Sequence, residues 1–188
     1  MTAVTTPIVP VPGYVAGTWD IDPAHSEVSF TVRHLMISKV RGRFTRFGGT
    51  IRTDETLVAP EVTATVDAAS VDTGQPQRDD HLRSPDFFDV EQHPTWSFRS
   101  TGLRADGDGY LLDGELTIKG TTRPVTFTLE LNGIGPDWAD GVRAGFSAVT
   151  TIDRNDFGVD LTMPMDGGGM IVGTKVQINL EVQAALRG

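Results

Sequence analysis

Four histidines and a run of six cations are the side chains of this 188-residue chain with the most chemistry to offer. His81 follows Asp79 and Asp80, with Asp86, Asp89 and His93 close behind. A metal ion needs such donors converging on one point, and neither an HExxH nor an HxH spacing occurs. Carboxylates are favoured at the start of a helix by its dipole, so the cluster reads as a solvated helix cap. His25 and Ser26 are neighbours at the start of a strand and point to opposite faces, which does not suit a base and its nucleophile. No Ser stands in a Gly-x-Ser-x-Gly elbow. Asp156-Phe157-Gly158 repeats three letters of a kinase motif without a Gly-rich loop or catalytic loop. Asp106-Gly107-Asp108-Gly109 lacks the spacing and closing Glu of a calcium loop, and Gly167-Gly168-Gly169 lacks the Lys-Ser/Thr of a phosphate loop. The chain has no Cys, which excludes disulfides, thiol catalysis and thiolate metal sites. No catalytic residue, metal ligand or cofactor is assigned.

Two features keep a binding reading alive. His34 is the fourth position on a strand face that is otherwise apolar. It is either a buried histidine bonded to backbone or a polar contact for a ligand head group at the mouth of an apolar pocket. Arg33, Lys39, Arg41, Arg43, Arg46 and Arg52 occur without an Asp or Glu between Val28 and Thr53, in a chain whose net charge is -9. They either pair with acids on neighbouring strands, worth little per pair, or form a positive patch for a phosphate or an anionic membrane surface.

The elements that must position these groups are strands. Val28, Phe30, Val32 and His34 alternate with Glu27, Ser29, Thr31 and Arg33, and Val40, Gly42 and Phe44 alternate with Arg41, Arg43 and Thr45. Period-two alternation means one dry face and one wet face. The pattern recurs at 61–67, 95–99, 112–119, 125–131, 142–148 and 175–183, and a short segment at 18–22 adds to it, giving eight or nine strands. Asp106–Gly109 reads as a hairpin turn, Gly120–Pro124 as a second tight connection, and Asn132-Gly133 as the close of a strand. Short connections make consecutive strands neighbours, and such a meander closes into a barrel to remove its edges. A sandwich satisfies the same alternation. Gln77–Ser84 is a short helix that Pro85 ends, and this insert covers one end of the barrel, with Phe87 and Phe88 pointing into the core or the cavity mouth. Residues 159–173 form a second irregular region, with Met163, Met165 and Met170 available to fit varied ligands.

Composition frames the partners. Hydrophobic content of 38% and charged content of 22% fit one globular domain. The negative net charge disfavours general nucleic-acid binding. The first 16 residues contain Pro7, Pro10 and Pro12 and no Lys or Arg, so they are expected to be a flexible tail without a secretory signal, followed by a single domain at 17–188. No transmembrane run of about 18 apolar residues occurs, and a cytoplasmic location is expected.

The residues also resemble a known family. Trp19-Asp20-Ile21-Asp22 through His25-Ser26, Phe30–Leu35, Ser38–Phe44, Arg78–Asp89, His93-Pro94, Gly114–Gly120 and Arg154–Gly158 occur in the order found in the YceI-like, polyisoprenoid-binding proteins. The resemblance runs from about Gly17 to Val182. It implies an all-β fold: an eight-stranded antiparallel, lipocalin-like up-and-down barrel with a helical insert, which holds a long isoprenoid or similar amphiphile, often in a homodimer. The stretch 166–169 looks looser than the family's usual pattern at that barrel end. On this reading the chain is a non-catalytic carrier for a hydrophobic small molecule: a polyisoprenoid, an isoprenoid quinone or a fatty-acid-like lipid. The wall candidates are Phe30, Val32, Phe44, Phe98, Leu116, Phe127, Phe146, Phe157 and Met163, and His34 and Leu35 join them as ligand contacts. Two alternatives stand beside it. One is an enzyme in which His81 or His34 transforms the bound molecule; the other is a packed barrel used for dimerisation or partner docking.

Overall fold

A computed structural model describes residues 11–57, 59–164, 166, 168 and 171–188. Its strands are β1 (Gly17–Ile21), β2 (Glu27–His34), β3 (Ser38–Phe44), β4 (Phe47–Thr53), β5 (Glu61–Asp67), β6 (Val71–Asp72), β7 (Thr95–Asp106), β8 (Gly109–Ile118), β9 (Thr121–Pro136), β10 (Val142–Asp153) and β11 (Val172–Leu186), with one helix, α1 (Pro76–Arg83). All ladders are antiparallel, and the ring β1-β4-β5-β7-β8-β9-β10-β11 closes through a β1–β11 pairing. Closure leaves no edge around the ring.

Two of the barrel's staves are broken strands. β1 and β2 lie end to end along β11, which pairs β2 through Val172–Glu181 and β1 through Ala184–Leu186. The break holds a 3-10 turn capped by Asp22, whose carboxylate accepts from the Ala24 amide at 3.0 Å. β3 and β4 are likewise one stave interrupted at Thr45-Arg46, pairing β2 and β1 in turn. Counting each broken stave once, and setting aside the two-residue β6, gives the eight strands expected.

Three local expectations are corrected. β4 was absent from the alternating segments, because Gly48-Gly49 interrupts its pattern. Glycine is needed there: a Cβ on Gly49 would sit 2.3 Å from the Thr63 carbonyl oxygen of β5. Gly120–Pro124 is not a loop. The turn is Lys119-Gly120, and Pro124 stands inside β9 opposite Glu115. Its missing N–H is tolerated because the β9–β10 ladder runs only from Thr128 onward. Asn132-Gly133 does not end a strand. It forms a bulge, with Gly133 opposite Gly145 and Leu131 opposite Phe146, so Asn132 is the extra residue and β9 continues to Pro136.

The insert behaves as its residues suggest. α1 starts with Pro76 in its first turn, one residue earlier than expected, under a Gln75 cap whose side chain accepts from the Arg78 amide, and it stops at Ser84. With Phe87 and Phe88 it closes the barrel beside β3, whose outer edge is paired, among the described residues, only by the two residues of β6. Buried apolar residues gather at this end (Phe44, Val71, Phe87, Phe88, Leu116, Ile118, Phe157 and Val159) and, more sparsely, at the other (Trp19, Ala144 and Ala184). Val11 and Tyr14, from the stretch expected to be a mobile tail, reach the barrel interior at the second end. Met1–Pro10 of that stretch, and Met165, Gly167, Gly169 and Met170 of the second irregular region, lie outside the described residues.

Candidate functional site: an apolar cavity with a polar vestibule

The inward faces of the staves do not meet at the barrel axis. They enclose a cavity of about 320 Å³, lined from Val11, Tyr14 and Leu57 at one end to Ile118, Phe157 and Val159 at the other. Glycines make part of this room. A Cβ on Gly42 would stand 2.4 Å from the Phe30 ring, and one on Gly114 would stand 2.3 Å from the Phe98 ring and 2.7 Å from the Arg99 carbonyl. The far end of each aromatic ring therefore lies over a glycine of the next strand. Further along, Phe44 meets Phe30, Trp96 and Phe88 at ring separations of 5.7, 4.8 and 6.3 Å, and Phe98 meets Phe127 edge-on at 5.5 Å. Edge-to-face contacts of this kind add to what burial alone supplies.

Polar groups are few in this wall. The Trp96 indole N–H is buried and finds no hydrogen-bond partner among the described residues. Arg154 is buried and also lines the cavity, and its guanidinium is spent on backbone. It donates to the carbonyls of Gly173 at 3.0 Å, Val159 at 2.5 Å, Leu161 at 3.1 Å and Val172 at 3.3 Å. Burial pushes its pKa down from the ordinary arginine value, though arginine stays charged in proteins. The side chain thus ties the start of the β10–β11 connection to its end.

Beside the cavity, between β2, α1 and the β10–β11 connection, lies a second space of about 450 Å³ with a mixed lining. Phe30, Val32, Leu82, Phe87 and Val172 border both spaces. Arg33, His34, Gln75, Gln77, Arg78 and His81 give this vestibule its polar character. The His81 ring nitrogen Nε2 lies 2.9 Å from the Asp86 carboxylate, and its ring meets Phe87 edge-on. Asp79 is buried and accepts from the amide and hydroxyl of Thr73, while Asp80 pairs with Arg83. Asp79, Asp80, His81 and Asp86 are therefore engaged in local structure, and no group of three or more metal-ligating side chains converges among the described residues.

Of the expected contacts, Phe30, Val32, Phe44, Phe98, Leu116, Phe127, Phe146 and Phe157 line the cavity. His34 and Met163 line the vestibule instead. Leu35 borders neither space: it sits in the β2–β3 turn with φ +53°. The face alternation of β2 stops at His34, so the pattern does not extend to it. Sequence reading passed over Trp19, Phe47, Ile51 and Tyr14 as cavity residues. Trp19 and Ile51 are partners across the β1–β4 ladder, and recognising β4 would have found both.

The cation run divides. Arg43 pairs with Asp72, Arg46 with Asp67 and Arg52 with Glu61. Arg33, Lys39 and Arg41 are exposed and have no acidic partner among the described residues. At the far end, Arg143 donates to Asp22 at 2.7 Å, and with the His25 ring at 2.8 Å it holds the Asp22 carboxyl down to about 2. Arg104 and Thr126 do the same for Asp113, also to about 2.

Comparison with known proteins agrees with this architecture. The YceI-like domain description matches residues 19–184. A UPF0312 protein of Pseudomonas aeruginosa is 40% identical over 145 residues, spanning 77% of this chain and 76% of the relative. BcnA of Burkholderia cenocepacia superposes with a TM-score of 0.72 at 27% identity, covering 87% of this chain and 98% of that one. A YceI protein of Campylobacter jejuni gives 0.71 at 27% identity over 83% and 90%. A polyisoprenoid binding domain from Saccharophagus degradans, implicated in plant cell wall breakdown, shares the fold at a TM-score of 0.71 and 16% identity, over 90% and 98% of the two chains.

Proposed function

The chain belongs to the YceI-like family, and from that premise we propose that it is a non-catalytic carrier of a long-chain amphiphile. The tail of a polyisoprenoid, an isoprenoid quinone or a fatty-acid-like lipid lies in the barrel, and its head group rests in the vestibule. The observation that carries this reading is the extent of almost wholly apolar wall, with aromatic rings placed over Gly42 and Gly114. Each buried CH₂ contributes about 0.8 kcal/mol. A tail of about ten carbons thereby supplies roughly the free energy of a micromolar complex, before the cost of ordering it. Identity at the head-group end falls to the polar groups of the vestibule, with His34, Arg33 and Arg78 the ones that can meet an anion. The polyisoprenoid-binding domain of the same fold supports the ligand class.

Catalysis by His34 or His81 is the weaker reading. The His81–Asp86 pair is exposed, and the vestibule presents no hydroxyl, thiol or amine for it to activate among the described residues. The test is solvent extraction of the purified protein with mass spectrometry, together with titration by isoprenols of graded length. A carrier yields a lipid or takes one up at one per chain. A protein that does neither, while folded, is not a carrier.

A further inference from the structure

The β2–β3 hairpin ends in a feature that the cavity does not explain. Ile37 is 84% exposed and Met36 55% exposed at its tip. Leu35 and Met36 hold consecutive left-handed backbone angles of +53° and +59°, which bulky L residues rarely adopt. The Lys119-Gly120 turn at the same end of the barrel instead has a glycine at its second left-handed position. Just behind the tip, Arg33 and Lys39 are directly opposed across the ladder, and Arg41 follows on the same outer face. Like charges opposed in this way destabilise a strand pair. These are also the three cations of the run that no acid neutralises among the described residues, on a chain of net charge -9. The apolar tip and the unneutralised opposed cations are each unfavourable in water, and both become favourable against one kind of partner.

We infer that the β2–β3 hairpin is a docking finger for an anionic lipid bilayer. Met36 and Ile37 enter the boundary between head groups and acyl chains, and Arg33, Lys39 and Arg41 sit against the lipid phosphates. The charge complementarity is local, since the rest of the molecule is acidic and is repelled by the same surface. The finger is continuous with the vestibule, because Arg33, His34 and Val40 border that space. Docking therefore turns the vestibule toward the bilayer. That lipid enters there rests on the carrier reading above; the docking itself does not.

Vesicle flotation with the full chain tests this, comparing phosphatidylcholine alone with phosphatidylcholine containing phosphatidylglycerol. The protein is expected to float only with the anionic vesicles and to be released by added salt. Each Lys or Arg at such a surface is worth about fivefold in partitioning, so the Lys39→Glu/Arg41→Glu variant should lose more than roughly twentyfold. Met36→Ser/Ile37→Ser should also lose binding. Trp138→Ser, which removes an exposed side chain from the β9–β10 turn at the opposite end, should not. The inference is overturned by absence of wild-type binding, by equal binding to both vesicle types, or by tip variants that bind normally. It is equally overturned if the tip variants instead change the sedimentation of the protein alone, which would make the finger a contact between copies. Uptake of farnesol from free solution, followed by tryptophan fluorescence, separates the two claims. It should be unchanged in the tip variants, and its failure in the wild type would count against the carrier while leaving docking to flotation.

Discussion

Gly42 and Gly114 decide how much of the barrel axis stays empty. Adding one methyl at Gly114 brings it against the Arg99 carbonyl as well as the Phe98 ring, and backbone cannot step aside as a side chain can. Gly114→Ala is therefore expected to destabilise the fold by about 1–3 kcal/mol, measured as a lower urea midpoint. At Gly42 only the Phe30 ring and the Thr73 methyl lie in the way. Gly42→Ala should push Phe30 toward the axis and weaken uptake of long isoprenols more than it weakens the fold. Equal loss of both would show that the ring position does not shape the cavity. Sequence reading placed Gly42 and Gly114 on inward faces from alternation alone. What it could not supply was the neighbour across the ladder that makes glycine necessary, because register is a property of two strands. Leu35 shows the converse: it continues an apolar run, yet the chain has already turned, so its side chain serves neither space.

Elements are held in place by a few buried or shielded polar ties, and these were the least legible part of the sequence. Arg154 fastens both ends of the β10–β11 connection through four backbone carbonyls. Hydrogen bonds to a charged group are each worth about 1.5–3 kcal/mol, so Arg154→Ala should cost at least about 3 kcal/mol in chemical denaturation. Arg154→Lys should restore little of it, since a single ammonium cannot reach so many carbonyls. Asp22 ties the break between β1 and β2 to β10 through Arg143, which in turn reaches Asp137 in the β9–β10 turn. Its carboxyl is lowered from 3.8 to about 2. A depressed pKa gives stability that is complete above the unfolded value and is lost as pH falls toward the folded one. Asp22→Asn should thus melt below the wild type above about pH 4, and the two melting curves should converge between there and about pH 2. A gap that persists at the acid end would mean that Asp22 acts through shape and not charge. The strands themselves were readable wherever alternation was unbroken, as in β2, β3 and β8. β4 was hidden by its glycines and the bulge in β9 by a dipeptide that imitates a hairpin turn.

At the scale of the whole molecule, the barrel separates three environments: an apolar interior, a vestibule with histidines and arginines, and an acidic exterior broken by one cationic finger. The family pattern in the sequence reached the correct architecture because its stretches mark recurring structural points. Asp22 caps the first break, 78–89 takes in most of α1 and the segment that plugs the barrel, and Arg154–Gly158 anchors the β10–β11 connection. The separation of cavity from vestibule was not readable, since it depends on how α1 packs beside β6 and faces β2 across a space, and not on any periodicity. The carrier account stands or falls on occupancy of the interior. Native mass spectrometry of the purified chain, before and after incubation with isoprenols of increasing length, measures it directly. The account predicts one bound molecule per chain, with retention rising with tail length and falling in Gly42→Ala. A folded protein that shows no adduct at any length would contradict it.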